Sequence, residues 1–465
     1  MSLDEERIHR TWLRSERTIP SRFVRPLLRF TRVEAAGGLI LLAAALAALI
    51  WANGPFGDTY EEFWETHASL TIGPLHLDES LRHWVNDGLM VIFFFVVGLE
   101  IKRELVVGEL RDRKTAALPV MAALGGMIFP AAIYVLIVGT GADATHGWGI
   151  PMATDIAFSV GIVALLGTRV PTPAKLFLLA LAIVDDIGAI VVIAVFYTSD
   201  VSLAYLAGSI AVLGAMFLAN RVGIRSILFY FVLGFFAWLF LLESGVHATL
   251  AGVAIGLLTP AGSLYSDDEY QTRARWLLQR HEMESHSTLP RERIDQTALE
   301  LTEVATESVS PLTRIELLIH PWSSFLIVPV FALANAGIRF EGMGLEEVTG
   351  SVAIGVAVGL VVGKTLGVSL FTWLGVVLGL GRLPRRTNWT HIIGLAMLAG
   401  VGFTVSLFIT GLAFDDPILT DEAKIGIFVG SGIAGVLGYV MLRVGNPPRQ
   451  SVEPPLVGEG AGPGA

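Results

Sequence analysis

Two adjacent carboxylates, Asp185 and Asp186, stand near the middle of an apolar run from about Leu176 to Phe196. An ionised Asp at the centre of a spanning helix costs about 2.5 to 3.5 kcal/mol, so two of them call for a compensating partner or a function. Paired acids in a low-dielectric site titrate as a coupled unit and can exchange protons near neutral pH. A site where protons or cations bind and leave is the sharper reading; a buried structural ion pair is the plainer one. Asp155, in Thr154-Asp155-Ile156-Ala157-Phe158-Ser159, interrupts another apolar run with a carboxylate between hydroxyls. Such oxygens suit a hard cation, although Thr and Ser also bond back to their own helix. Lys364, in Gly363-Lys364-Thr365, is far from either end of a third run. A buried ammonium wants a carboxylate, and Asp185, Asp186 and Asp155 are the candidates. Finally, Gly394, Gly400, Gly402 and Gly411 surround Phe403-Thr404-Val405-Ser406; glycine there allows close helix packing or unwound backbone lining a cavity.

The elements that must hold these residues follow from composition. Of 465 residues 53% are hydrophobic and only 16% charged, more apolar and less charged than soluble domains, which points to an all-α polytopic membrane protein. No cysteine is present, so disulfides, thiol chemistry and sulfur-ligated metals are excluded. The net charge of -10 hides an uneven placement of basic residues. Arg7 to Arg32 resembles the positive flank of a signal peptide, but the run after it, Ala35 to Ala52, is longer than an h-region and is read as a retained span.

Apolar stretches of spanning length recur at about Ala35 to Ala52, Trp84 to Leu99, Ala116 to Val138, Trp148 to Leu166, Leu176 to Tyr197 and Leu203 to Ala219. They continue at Ile227 to Leu242, Val246 to Leu258, Pro321 to Ile338, Val352 to Leu380, Ile392 to Phe414 and Ile425 to Leu442, about twelve helices in all. Every second connection is basic, as with Lys102, Arg111 and Lys114, then Arg169 and Lys175, then Arg221 and Arg225, then Arg382 and Arg386. The positive-inside rule then places both termini in the cytoplasm. The stretch Leu70 to Leu77 alternates around Gly73-Pro74 and reads as a small extracytoplasmic β-hairpin, either a plain loop or a homodimer contact. Residues 261 to 310 are too polar to span and form a charged insertion with helix-like pieces around Tyr270 to Glu284 and Arg291 to Val309, whose composition also fits partial disorder. The expected division is a basic cytoplasmic extension at 1–32, eight spans within 33–260, the cytoplasmic insertion at 261–316, four spans within 317–444 and a cytoplasmic tail of disordered composition at 445–465.

Several of these motifs together resemble the bacterial NhaA family of sodium/proton antiporters. They are Thr154 to Phe158, Val184 to Ile190, Ser244 to Gly252, Gly363-Lys364, Gly402-Phe403-Thr404, Val97 to Leu105 and Phe331 to Gly337, in one order from about Ala35 to Arg443. This family is itself a reference example of inverted-repeat transporters, so the resemblance implies inverted-topology repeats and two crossed discontinuous helices, the fourth and the eleventh. They would be broken near Thr154 and Asp155 and at the backbone of Gly402, Phe403 and Thr404. It implies that Asp186 binds sodium (or lithium) or a proton, that Asp185 stands beside it and pairs with Lys364, and that Asp155 and Lys364 offset the dipole ends of the broken helices. Residues one apart on a helix differ by about 100° in direction, so Asp186 can face an ion cavity while Asp185 faces the tenth helix. It further implies electrogenic exchange at the inner membrane for pH and sodium homeostasis, and a pH response on the cytoplasmic side at Glu100, Glu104, His247, Arg314, Glu316 and His320. Thr313 and Leu317 depart from the lysine and histidine of well-known relatives. Beyond sodium and protons, the expected partner is membrane lipid, with no cofactor and no nucleic acid.

Other classes fit less well. Intramembrane aspartyl proteases carry Tyr-Asp and Gly-x-Gly-Asp on separate helices, whereas Asp185 and Asp186 are adjacent. A passive channel or scaffold leaves the buried Asp185, Asp186 and Lys364 without a reason. The P-loop pattern fails because Val358 stands in place of its first glycine. The expectation is an ion-coupled transporter, not an enzyme.

Overall fold

The computed structural model describes residues 35–72, 75–140, 143–198, 201–287, 290–340 and 349–445. The 1–32 extension, the Gly73-Pro74 turn and the tail beyond residue 445 lie outside them. In hydrocarbon every backbone N–H and C=O must be paired within the protein, and a helix pairs them within one segment. Among the described residues eight helices are long and apolar enough to cross a membrane, and the pair Trp389–Ala399 and Phe403–Ala413, bent by 41°, makes a ninth span. Ile227–Leu242 and Thr249–Leu258 are apolar but shorter, the latter becoming helical three residues after the expected start at Val246. The chain is an all-α membrane protein, broken among the described residues by one two-stranded antiparallel hairpin, His67–Ile72 with Leu75–Ser80.

Several helix ends differ from the sequence reading, the largest shift being at the start of the ninth stretch. The helix expected from Pro321 begins at Pro311, so the expected boundary between 316 and 317 falls inside it. Ser310 caps it by accepting from Thr313 N at 3.2 Å, and Pro311 occupies the first turn, where its missing N–H costs nothing. The apolar onset used to place the helix comes later because Arg314, Glu316 and His320 make its first turns polar.

Over its described residues the charged insertion forms two helices, close to the helix-like pieces read from its sequence. Ser266 and Glu269 form a capping box on Asp267–Ser285, which pairs with a second helix, Arg291–Glu307. Their seam buries Leu277 and Val304, and the Thr297 hydroxyl donates to Glu284 at 2.6 Å while Arg280 Nε reaches the same carboxylate at 2.9 Å. The Thr297 hydroxyl, followed by Arg280, holds the Glu284 carboxyl below its ordinary value. A depressed carboxyl pKa contributes stability that is complete above the unfolded value, near 4.5, and is lost as pH falls through the folded value. Amide protection factors across 267–307 in the full chain are therefore expected to fall with acidification below that range. Glu284→Gln should flatten this acid dependence; the same dependence in the variant would show that another group sets it.

The tightest helix pair carries Lys364. Arg113–Val138 lies against Lys364–Val377, with Gly125 and Gly367 at the crossing, where a Cβ on either would run into the other's carbonyl. The turn before Lys364, Gly359–Gly363, is π-helical, a local widening that recurs at functional positions in helices. Glycine there lets two backbones meet without leaving room for lipid or water around a buried ammonium.

Candidate functional site

The two broken helices meet at the centre of the bundle. The first runs as a 3₁₀ segment, Asp143–Met152, breaks at residues 153–155 and resumes as Ile156–Leu165. The second breaks between Ala399 and Phe403. Of the three residues expected in this break only Gly402 lies in it; Phe403 and Thr404 form the first turn of the following helix. Asp155 N donates to Val401 O at 2.6 Å, joining one break to the other.

A helix start exposes free N–H groups and a partial positive charge, which a carboxylate answers. Asp155 does this for two helices. Its Oδ1 accepts from Phe158 N at 3.0 Å in its own helix, and its Oδ2 accepts from Thr404 N at 3.1 Å and from the Thr404 hydroxyl. The Thr404 side chain is thus part of the site, a role not apparent when Thr404 was read as backbone alone.

Of the three carboxylates that could pair with Lys364, the structure selects Asp185. Lys364 Nζ lies 2.5 Å from Asp185 Oδ2 and 3.0 Å from the Thr154 hydroxyl, and both charged side chains are fully buried. Thr154 Oγ1 is 2.7 Å from the same Asp185 oxygen and 2.9 Å from Ala399 O. One hydroxyl has one proton and two lone pairs, so with Lys364 donating to it Thr154 keeps one lone pair free. Asp186 lies in the same helix, Thr172–Phe196, turned by about 100° from its neighbour. Asp186 is buried, its Oδ1 has no hydrogen-bond partner, and Asp185 Oδ1 is likewise unpartnered. The charges that Asp186 feels are mostly of its own sign, from Asp185, Glu100 and Asp155, with Lys364 opposing them. Since Lys364 is already matched to Asp185, Asp186 is the acid without a counter-charge of its own.

Five of the six residues tied to pH response gather at the end of the bundle bearing the basic loops. Arg103 Nη1 binds Glu316 Oε1, and its Nε lies 4.0 Å from Glu104. His320 Nε2 is 4.0 Å from Glu100, and Arg314 Nη1 reaches Glu307 at 3.2 Å. Arg103, read in the sequence only as a basic-loop charge and part of the Val97 to Leu105 motif, is the hub of this network, and Glu307, not singled out there, is its link to the insertion. The spacing of Glu100, Arg103 and Glu104 on one helix turn was the available signal. His247 stands apart from this cluster. Its Nε2 is 2.6 Å from Tyr197 O, beyond the far end of Thr172–Phe196. Thr313 contributes to the helix cap and Leu317 is exposed, so neither adds a titrating group.

A family model described as Na+/H+ antiporter 1 matches residues 28–442. A protein of Rhodopirellula baltica named Na(+)/H(+) antiporter NhaA is 45% identical over 432 residues, 92% of this chain and 96% of its own. One of Koribacter versatilis with the same name is 45% identical over 426 residues, 90% of this chain and 91% of its own. The solved structure of a sodium proton antiporter from Methanocaldococcus jannaschii covers 90% of this chain and 98% of its own at 12% identity and a TM-score of 0.45, a likeness too distant to bear on the site.

Proposed function

Because the chain belongs to the Na+/H+ antiporter 1 family and exchanges sodium for protons across a membrane, we propose that Asp186 is the carboxylate that holds the cation and the proton in turn. The observation that carries this reading is its buried, unpartnered oxygen beside an Asp185–Lys364 pair that is already neutral. Loading a cation needs Asp186 ionised, and the same oxygens bind the proton, so the two ligands exclude each other. Thr154 and Asp155 supply further oxygens at the breaks, while Asp155 and Lys364 offset the dipole ends that the breaks create. Asp185, held by Lys364, gives the exchange its second carboxylate. More than one proton then moves per sodium, which makes transport electrogenic and suits it to pH and sodium homeostasis.

The architecture of this reading is twelve spans in inverted-topology repeats, with the two broken helices crossed between them. It belongs in a bacterial inner membrane with both termini cytoplasmic, in keeping with the basic loops. The hairpin at 67–80 is then extracytoplasmic and available as a homodimer contact. The network of Glu100, Arg103, Glu104, Arg314, Glu316 and His320 sits at the cytoplasmic end, where proton concentration is sensed. Lithium is accepted as a second cation, and no cofactor is needed.

The test uses purified protein in proteoliposomes with a pH-sensitive dye and additions of sodium, lithium and potassium in turn. Sodium and lithium are expected to drive proton movement; current without coupling to protons would mark a channel instead. The apparent sodium affinity should also fall as pH drops, because protons compete for the same carboxylate. A sodium affinity independent of pH would defeat the competitive mechanism.

A further inference from the structure

The two breaks free backbone groups that hydrocarbon cannot satisfy, and the destination of several can be followed. On the amide side, Asp155 takes Phe158 N and Thr404 N, and Ser431 Oγ accepts from Gly402 N at 3.2 Å. On the carbonyl side, Thr154 reaches Ala399 O and Asp155 N reaches Val401 O. Two serines supply two further bonds. Ser159, the fourth residue of Ile156–Leu165, donates to Leu398 O at 2.8 Å. Ser406, the fourth residue of Phe403–Ala413, donates to Ile150 O at 2.8 Å. Both serines are fully buried.

A helical serine ordinarily bonds back to the carbonyl one turn earlier in its own helix. Here those carbonyls, Asp155 O and Gly402 O, already take the serines' own N–H groups at 3.0 Å, and each hydroxyl instead reaches across to the other broken helix. The arrangement is reciprocal: the second half of each helix holds the end of the first half of the other. Leu398 adjoins Ala399, whose carbonyl anchors Thr154, and Ile150 lies in the segment that leads into Thr154 and Asp155.

We infer that Ser159 and Ser406 are a reciprocal pair of positioning residues for the exchange reaction, fixing across the crossing the placement of Thr154 and Asp155. The inference rests on the reading of those two residues as part of the exchange site. A buried hydrogen bond contributes about 0.5 to 1.5 kcal/mol, so its loss at either serine is expected to raise the sodium KM by about two- to tenfold, with the maximal rate per folded molecule retained. A purely structural role would lower thermal stability and the amount of folded protein and leave KM unmoved.

The experiment compares sodium KM, maximal rate and Tm for Ser159→Ala and Ser406→Ala in proteoliposomes. Ser→Cys at each position, similar in size with a weaker donor, should give an intermediate KM and replaces an alanine variant that does not accumulate. Elevated KM at both positions supports the pair. Unchanged KM at both, or a change at one alone, overturns it. Asp155→Asn, assayed in parallel, separates this outcome from failure of the site: normal exchange in that variant removes Asp155 from the site whatever the serines do.

Discussion

Asp186→Asn is expected to abolish sodium-driven proton exchange while leaving a folded protein. The substitution keeps the size and shape of the side chain but removes both its negative charge and the proton it can carry. Asp186 makes none of the hydrogen bonds that hold the breaks together, and its Oδ1 has no partner to lose. Removing a buried charge without a matched counter-charge should therefore leave Tm unchanged or raise it. The contrast between an inactive transporter and an intact Tm is the signature of a ligand-holding residue. Sodium-dependent dye recovery at the normal rate in the Asn variant would remove Asp186 from the mechanism.

Lys364→Ala is expected to do the opposite, with a large loss of stability as well as of activity. Lys364 Nζ is the only cation bound to Asp185 among the described residues, and both side chains are fully buried. Breaking a buried pair leaves an uncompensated charge and costs on the order of 3 to 5 kcal/mol. Replacing both partners should cost less than the sum, so Asp185→Asn in the Lys364→Ala background is expected to recover part of the lost Tm. Detergent-solubilised protein followed by thermal unfolding gives the double-mutant cycle directly. Additive losses would show that the two groups do not interact. Because Thr154 also touches both groups, Thr154→Val should reduce this coupling without eliminating it.

The insertion is anchored to the transmembrane bundle through its last helix. Glu307, at the end of Arg291–Glu307, binds Arg314 and lies 3.9 Å from Arg225, so the insertion is tied to the same helix that carries Glu316 and His320. In this chain the positions of Thr313 and Leu317 carry no titrating group, and the charge paired with Glu316 is Arg103.

The class of the protein, the place of its paired acids and the need for a partner to Lys364 were all legible in the sequence. Bilayer physics acts on local composition: a run of apolar residues must become a helix, and a charge within it must be matched or used. The one-residue spacing of Asp185 and Asp186 also determined locally that the two carboxylates point in different directions. The charge argument left Asp185, Asp186 and Asp155 equally open and the family resemblance named Asp185, but only the tertiary structure brought that carboxylate against Lys364. It also decided that Asp155 serves two helix starts, one of them 249 residues away, that Arg103 rather than a histidine is the centre of the basic-end network, and that His247 lies at the other end. Local patterning does reach the insertion, where helical pieces around Tyr270 to Glu284 and Arg291 to Val309 are readable despite its charge. It cannot reach the crossing, where bonds between residues 150–159 and 398–406 form only once two distant breaks are brought together, with no local period to encode them.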